Sequence, residues 1–216
     1  MTFKRARSKE QVEERTMKIV ASALLLYDRD GYQAVTFKDI SELTGITRPA
    51  IYSYFKNPDE ILLCALGHDF DALNSGLGFE YERHNTLDDQ EFAKILYDEF
   101  IKYPRMLKML AINYSVIEVG ASDEALFIFK SKIMQTFRLL GQYLEKFFMH
   151  ITKARREDFC FIFFSFLSSV YILTHPSAKQ SIAIKRNDST FNVPSFEHLF
   201  FEGIRMITRS LIHSCK

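Results

Sequence analysis

The chain's 216 residues are enough for one large or two small domains around a sizeable buried core. Its 47% hydrophobic and 14% aromatic content excludes a chain disordered throughout, and its three well-separated cysteines, Cys64, Cys160 and Cys215, lack the paired spacing of a zinc site or a disulfide framework. A net charge of +1 makes the whole chain no polycation, so affinity for nucleic acid has to come from local clusters.

One such cluster opens the chain, where Lys4, Arg5, Arg7 and Lys9 precede the first acid, Glu10. No uninterrupted apolar run comes before Glu10, Glu13 and Glu14, so this start does not read as a signal peptide. With the unpaired cysteines it predicts a cytoplasmic protein. The basic stretch is either a flexible arm that reaches a phosphate backbone or minor groove, or a solvated terminus. A first helix is predicted from about Lys9 to Asp30, with Val12, Met17, Val20, Leu24 and Tyr27 at helical spacing and Gly31 as its stop.

The stretch TFKDISELTGITRPAIYSYF, Thr36 to Phe55, carries most of the functional signal. Thr36 can cap a short helix whose Phe37, Ile40 and Leu43 share one face. Gly45 can take the left-handed conformation that ends it, and Thr47 starts a second helix with Pro49 in the first turn, where a missing N–H removes no intrahelical bond. Two short helices around a tight glycine turn make a helix-turn-helix. In the second helix Ile51 and Phe55 face the core, while Arg48, Ala50, Ser53 and Tyr54 face outward with Tyr52 at the edge. Arg48 can offer a forked donor to guanine, and Thr47, Pro49, Ala50 and Ser53 are small enough to approach base edges. Thr36, Tyr52, Tyr54 and Lys56 are placed for phosphates.

These residues carry a resemblance. Gly31, Thr36, Asp39-Ile40, Gly45-Ile46-Thr47, Ile51-Tyr52-Ser53-Tyr54-Phe55 and Asp59-Glu60-Ile61-Leu62 together resemble the N-terminal domain of the TetR family of transcriptional repressors, over roughly residues 10 to 65. Two positions depart from the family pattern: Pro58 takes the slot of a phosphate-touching lysine, and Tyr54 stands where a histidine is frequent.

Further on, Asn57-Pro58-Asp59-Glu60 reads as a capped helix start. This fourth helix carries Ile61, Leu62, Ala65, Leu66, Phe70 and Leu73 and is expected to end near Ser75-Gly76, with a loop from Gly76 to Asn85. A fifth helix, about Leu87 to Lys102, puts Phe92, Ile95, Leu96 and Phe100 on one face; Pro104 then opens a sixth, about Arg105 to Val119. Ser122 can cap a seventh that runs to about His150. An eighth, about residues 153–175, is apolar nearly all round, with Phe159, Phe161, Phe163, Phe164 and Phe166 close together. Its uncharged run from Phe159 to Thr174 is sixteen residues, short of the roughly twenty that span a bilayer. A polar loop, Pro176 to Pro194, leads to a ninth, about residues 195–215, carrying Phe196, Leu199, Phe200, Ile204, Ile207 and Leu211.

The chain is therefore expected to be all-α, about nine helices: a DNA-binding domain over 1–57, and a ligand-binding and dimerisation bundle over 58–216 with the fourth helix as coupling element. A helix apolar on two faces needs a partner, and a symmetric dimer is the commonest. The resemblance implies a homodimer through the eighth and ninth helices, a palindromic double-stranded DNA operator, and release by a small-molecule effector held in the bundle. Candidate lining residues are Met106, Met109, Asn113, Phe137, Phe163 and Tyr171, whose methionine and phenylalanine walls favour an apolar or aromatic ligand.

An enzyme is not expected. His68 and Asp69 are adjacent but point about 100° apart on a helix, and no phosphate loop, nucleophile motif, metal spacing or cofactor motif is present. Cys64 and Cys160 sit among apolar neighbours and read as inert thiols, with redox sensing as the alternative. The competing expectation is an interaction protein that keeps the fold without reading DNA, favoured by Pro58 and the near-neutral charge.

Overall fold

The computed structural model describes residues 9–148 and 151–213, so Lys4, Arg5, Arg7, His150 and Cys215 lie outside the described residues. Among the described residues there are eleven α-helical segments, a 3-10 turn and a π-helical stretch, and no strand, which makes the protein all-α with more helices than the nine expected. The described residues form two compact units, one made of 9–68 with Tyr114–Lys130, the other of Asp69–Asn113 with 131–148 and 151–213.

In the first unit, α1 (Lys9–Asp30) buries Ile19, Val20, Ala23, Leu26 and Tyr27 and packs on the 3-10 turn Tyr32–Ala34 and on α2 (Phe37–Thr44). Val12 and Met17 were expected in that stripe but are exposed: burial is confined to the later turns, and helical period marks a face without saying how far along it contact runs. Thr36 caps α2, accepting from the Asp39 N–H at 3.1 Å. Phe37 and Ile40 are buried as expected, but Thr44, not Leu43, completes the inner face. Its hydroxyl donates to the Ile40 carbonyl (2.7 Å) and accepts from the Ile46 N–H (3.1 Å), so a polar side chain is accommodated in the turn. Gly45 is left-handed, φ 69°, and ends α2 as the sequence predicts. α3 (Arg48–Ile51) is one regular turn with Pro49 inside it, prolonged to Phe55 by further hydrogen-bonded turns.

α4 runs from Pro58 to Arg83, well past Gly76. The expected loop is absent because its glycine serves a close approach: a side chain at Gly76 would overlap the Glu99 carboxylate, and beyond it Leu77 is buried, with Tyr143 Oη donating to its carbonyl at 2.7 Å. α5 (Asp89–Phe100) starts at an Asp88–Glu91 capping box and buries Phe92, Ile95, Leu96 and Phe100. α6 (Pro104–Ile112) is shorter than predicted. It gives way to a π-helical stretch, Asn113–Ile117, and a single turn, α7 (Glu118–Gly120), where a continuous helix was expected. The widened turn shifts the register of the residues after it, and Ile117 is buried while Val119 is 76% exposed.

α8 (Asp123–Phe147) comes next in the chain, and its buried Thr136 Oγ1 donates to Asn74 of α4 at 2.7 Å. α9 (Lys153–Thr174) packs against α6 and against α11 (Phe196–His213), and α11 against α5. Phenylalanine dominates that interior: Phe163 lies 5.2–6.2 Å from Phe100, Phe159, Phe164 and Phe200, ring centre to ring centre. α9 is long and apolar enough, by length and composition alone, to cross a membrane. One face of it is packed inside the bundle, however, while Phe161, Ile162 and Leu173 are exposed. Within the expected polar loop lies α10 (Ala178–Asn187), started by a Ser177–Gln180 capping box and burying no residue, so it leaves no hydrophobic stripe to recognise it by.

Between α1 and α2, Gly31 has φ 84° and ψ −173°, a region open essentially to glycine alone. Gly31→Ala is expected to cost about 1–3 kcal/mol, read as a lowered urea midpoint with unchanged slope; an unchanged midpoint would show that the turn relaxes without strain.

Candidate nucleic-acid interface

The outward side of α3 and the turns after it is formed by short local rules. Thr47 leads in with extended backbone (φ −63°, ψ 145°), and Ile51 and Phe55 are buried, which anchors the segment from behind. Thr47, Arg48, Pro49, Tyr52, Ser53 and Lys56 are exposed; Ala50 and Tyr54 are half-buried. Arg48 makes no ion pair or side-chain hydrogen bond among the described residues, so its five donors point into solvent. The Tyr52 ring stands edge-on to Phe37, centroids 4.6 Å apart at 83°, which fixes the ring and leaves the hydroxyl outward.

Two hydroxyls of the predicted set are engaged locally. Thr36 donates to Asp39 Oδ2 at 2.5 Å, so it has no proton for a phosphate until that bond opens. Ser53 donates to the Ala50 carbonyl at 2.6 Å, and its oxygen then faces outward as an acceptor only.

Behind this face lies a polar network that the residue pattern does not disclose. Asn57 Oδ1 accepts from the Glu60 N–H (3.0 Å), and Asn57 Nδ2 donates to the Gly120 carbonyl (2.8 Å). The Glu60 carboxylate is buried: one oxygen accepts from the Lys56 N–H at 2.6 Å, the other from the Ser122 hydroxyl. Tyr32 donates to Asp59 at 2.8 Å. Burial, then the Asp59 bond and charge, push the Tyr32 phenol up to about 12. Because that value lies above the ordinary 10.0, the contribution to stability is complete below pH 10 and is lost as pH rises through about 12. The donor is therefore protonated at neutral pH. Together these contacts tie the end of the α3 segment, the start of α4 and the turn before α8 into one piece. Glu60 and Asn57 are legible as helix-start residues; their partners, some sixty residues away in sequence, are not.

The six candidate ligand residues all belong to the second unit. Met106, Met109, Asn113 and Phe163 are buried in the bundle, and Tyr171 stacks on His175 with ring centres 4.1 Å apart. Of the six, Phe137 alone lines a groove of about 400 Å³ between α8 and α9. Cys160, on the floor of that groove, is buried and its thiol is pushed up to about 12, in keeping with an inert thiol. Cys64, expected to be equally enclosed, is only half-buried and has its sulfur 3.9 Å from His68 Nε2. No cluster of metal-binding side chains occurs among the described residues.

Known proteins similar to this chain cover both its N-terminal and its C-terminal parts. The profile of bacterial regulatory proteins of the tetR family matches residues 19–64, and that of the tetracyclin repressor-like C-terminal domain matches 67–213. A 60-residue stretch is 37% identical to the HTH-type transcriptional regulator TtgR of Pseudomonas putida, spanning 28% of this chain and 29% of that protein. The chain thus covers under a third of the length of that curated relative. In fold it is similar to the fatty acid degradation regulator FadR from Bacillus halodurans, with TM-score 0.58 and 15% identity over 94% of this chain and 96% of that one. It is also similar to a TetR/AcrR-family transcriptional regulator from Thermobifida fusca, with TM-score 0.53 and 19% identity over 92% and 97%.

A Cβ added at Gly120 would overlap the Asp59 carboxylate while staying 3.4 Å from the Asp59 Cβ. Gly120→Ala is therefore expected to destabilise by about 1–3 kcal/mol in urea unfolding, and to cost much less in an Asp59→Ala background. Strict additivity of the two substitutions would contradict the close contact.

Proposed function

We propose that this chain, which belongs to the TetR family of bacterial regulatory proteins, is a homodimeric repressor that reads a palindromic operator through α3 and is released by a small apolar or aromatic effector. The observation that carries the reading is the exposed Arg48–Tyr52–Ser53 surface on a segment whose opposite side is anchored by Ile51 and Phe55. A rigid short helix with a guanidinium free in solvent suits a major groove. In this reading Arg48 contacts guanine, Thr47, Pro49, Ala50 and Ser53 lie against base edges, and Tyr52, Tyr54 and Lys56 hold phosphates, joined by Thr36 once its bond to Asp39 opens. Pro58, in place of a lysine, shifts more of the backbone attraction onto Lys56.

Support for the dimer comes from α9 and α11. Ile162, Phe166, Ser169 and Leu173 recur at helical spacing on α9, as do Leu199, Gly203, Met206 and Ser210 on α11, and all eight are exposed or half-buried. Phe166 reaches the backbone of Gly203, so the two stripes adjoin. Leu173 and Met206 are each 69% exposed, an apolar surface that a second copy would cover. The effector acts, in this proposal, by shifting α4, whose start belongs to the Glu60 network and whose remainder runs into the ligand-binding bundle. Such a protein works in the cytoplasm, on DNA and without chemistry of its own.

Arg48→Ala is expected to cost about 1–3 kcal/mol on the cognate site and to change base preference. Tyr52→Phe keeps the packing on Phe37 and should weaken all sequences alike; base preference altered by Tyr52→Phe but not by Arg48→Ala would reverse the assigned roles. Sedimentation should give a dimer at micromolar concentration, and Leu173→Glu a monomer. A wild-type monomer would remove the paired-site reading.

A further inference from the structure

The groove between α8 and α9 is built by two facing stripes, each at three- and four-residue spacing. From α8 come Met134, Phe137, Arg138 and Gly141, and from α9 Arg156, Cys160 and Phe161. The α8 stripe borders that helix's buried side, which holds Ile133, Leu140 and Leu144, and Phe137 lies where the two meet. The groove stays open because of Gly141. A Cβ there would meet nothing within 4 Å, and the backbone is not in the left-handed region, so neither close packing nor conformation calls for glycine at this point in the helix. What glycine provides is room on one wall of a groove whose total volume, about 400 Å³, is within the range of sites for small organic molecules.

The chemistry of the lining is uneven. Its floor is apolar and neutral: the Cys160 sulfur lies 3.6 Å from the Phe137 carbonyl oxygen, and the thiol stays protonated. The Phe137 and Phe161 rings stand 5.5 Å apart at 88°, presenting one edge and one face to an inserted ring. Phe161 is 68% and Met134 48% exposed, so a flat occupant would remove both from water.

Charge is confined to the rim. Arg156 pairs with Glu145 at 3.2 Å and Lys153 with Glu157 at 3.8 Å. These four side chains cancel, and Arg138 remains as the one lining cation without an ion pair among the described residues. A planar guanidinium over an apolar slot calls for a planar or forked anion on an aromatic body.

We infer that the α8–α9 groove is a binding site for a flat aromatic monoanion, such as an aryl carboxylate or sulfonate, with its ring between Met134 and the Phe137–Phe161 pair and its acid group on Arg138. That occupancy of the groove signals to DNA rests on the regulator reading; binding in the groove does not.

The test is a fluorescence titration of the full-length protein with 1-anilinonaphthalene-8-sulfonate, an aromatic monoanion, and with uncharged N-phenyl-1-naphthylamine. Wild type should bind one sulfonate per chain. Gly141→Leu, which fills the groove, should weaken both probes at least about tenfold, and Arg138→Gln should weaken the sulfonate about tenfold and the neutral probe less than about twofold. Gly141→Ala fills little of the space and should still bind; with retained circular dichroism and melting temperature it separates filling from misfolding. The assignment is overturned if wild type binds neither probe, if folded Gly141→Leu binds as wild type does, if Arg138→Gln affects both probes equally, or if Leu173→Glu monomers alone bind, which would mean that a second copy occupies the groove. No DNA enters the titration, so its failure removes the groove and leaves the regulator reading intact, whereas failure to discriminate DNA sequences removes that reading and leaves the groove.

Discussion

The buried carboxylate of Glu60 is the constraint on which the exposed Arg48–Tyr52–Ser53 surface depends. A carboxylate out of water is costly unless its lone pairs are used, and here they are taken by the Lys56 N–H and the Ser122 hydroxyl. The first partner belongs to the segment after α3 and the second to the turn before α8. Neither can move without leaving a buried carboxylate oxygen unpaired, so the orientation of the α3 segment is set from behind by α4 and the 120–122 turn as well as by its own Ile51 and Phe55. Asn57 and Asp59 reinforce the arrangement on either side, through Gly120 and Tyr32. A segment of one regular turn has little helical stability of its own; this network holds it in place, as the proposed groove reading requires.

The helix-turn-helix was legible in the sequence because its determinants are local. A threonine cap, a left-handed glycine and a proline in a first turn each act within four residues, and the structure places all three as the residue pattern implies. The capped start of α4 at Asn57-Pro58 is legible for the same reason. What escaped was long-range or lacked an apolar face. Gly76 reads as a helix end until Glu99 is seen pressed against it, and only the fold brings those two together. The π-helical stretch at Asn113–Ile117 has no compositional mark, and α10 buries nothing, so periodicity could not separate it from a loop. Val12, Met17 and Leu43 fit a helical stripe by spacing and lie outside it by position.

The bundle shows the same contrast. An aromatic-rich α9 was expected to need cover on two sides, and one side indeed lies against α6 and α11 while the other exposes Ile162 and Leu173. The candidate ligand residues are mostly methionine and phenylalanine at helical spacing, a pattern that ordinary core shares. Most of them are core in the described structure, with Phe163 ringed by other phenylalanines. The groove beside Phe137 depends instead on an absent side chain, Gly141, and on one arginine outside the rim's ion pairs, features that a search for apolar walls passes over.

The central claim, that two copies of the Arg48 surface read one duplex, is tested most directly by selecting bound sequences from a random DNA pool with the purified protein. The predicted result is enrichment of an inverted repeat whose half-site centres lie about one helical turn or more apart, with guanine at a fixed position in each half. Recovery of no sequence above background at physiological salt, or of a single half-site without symmetry, would contradict it.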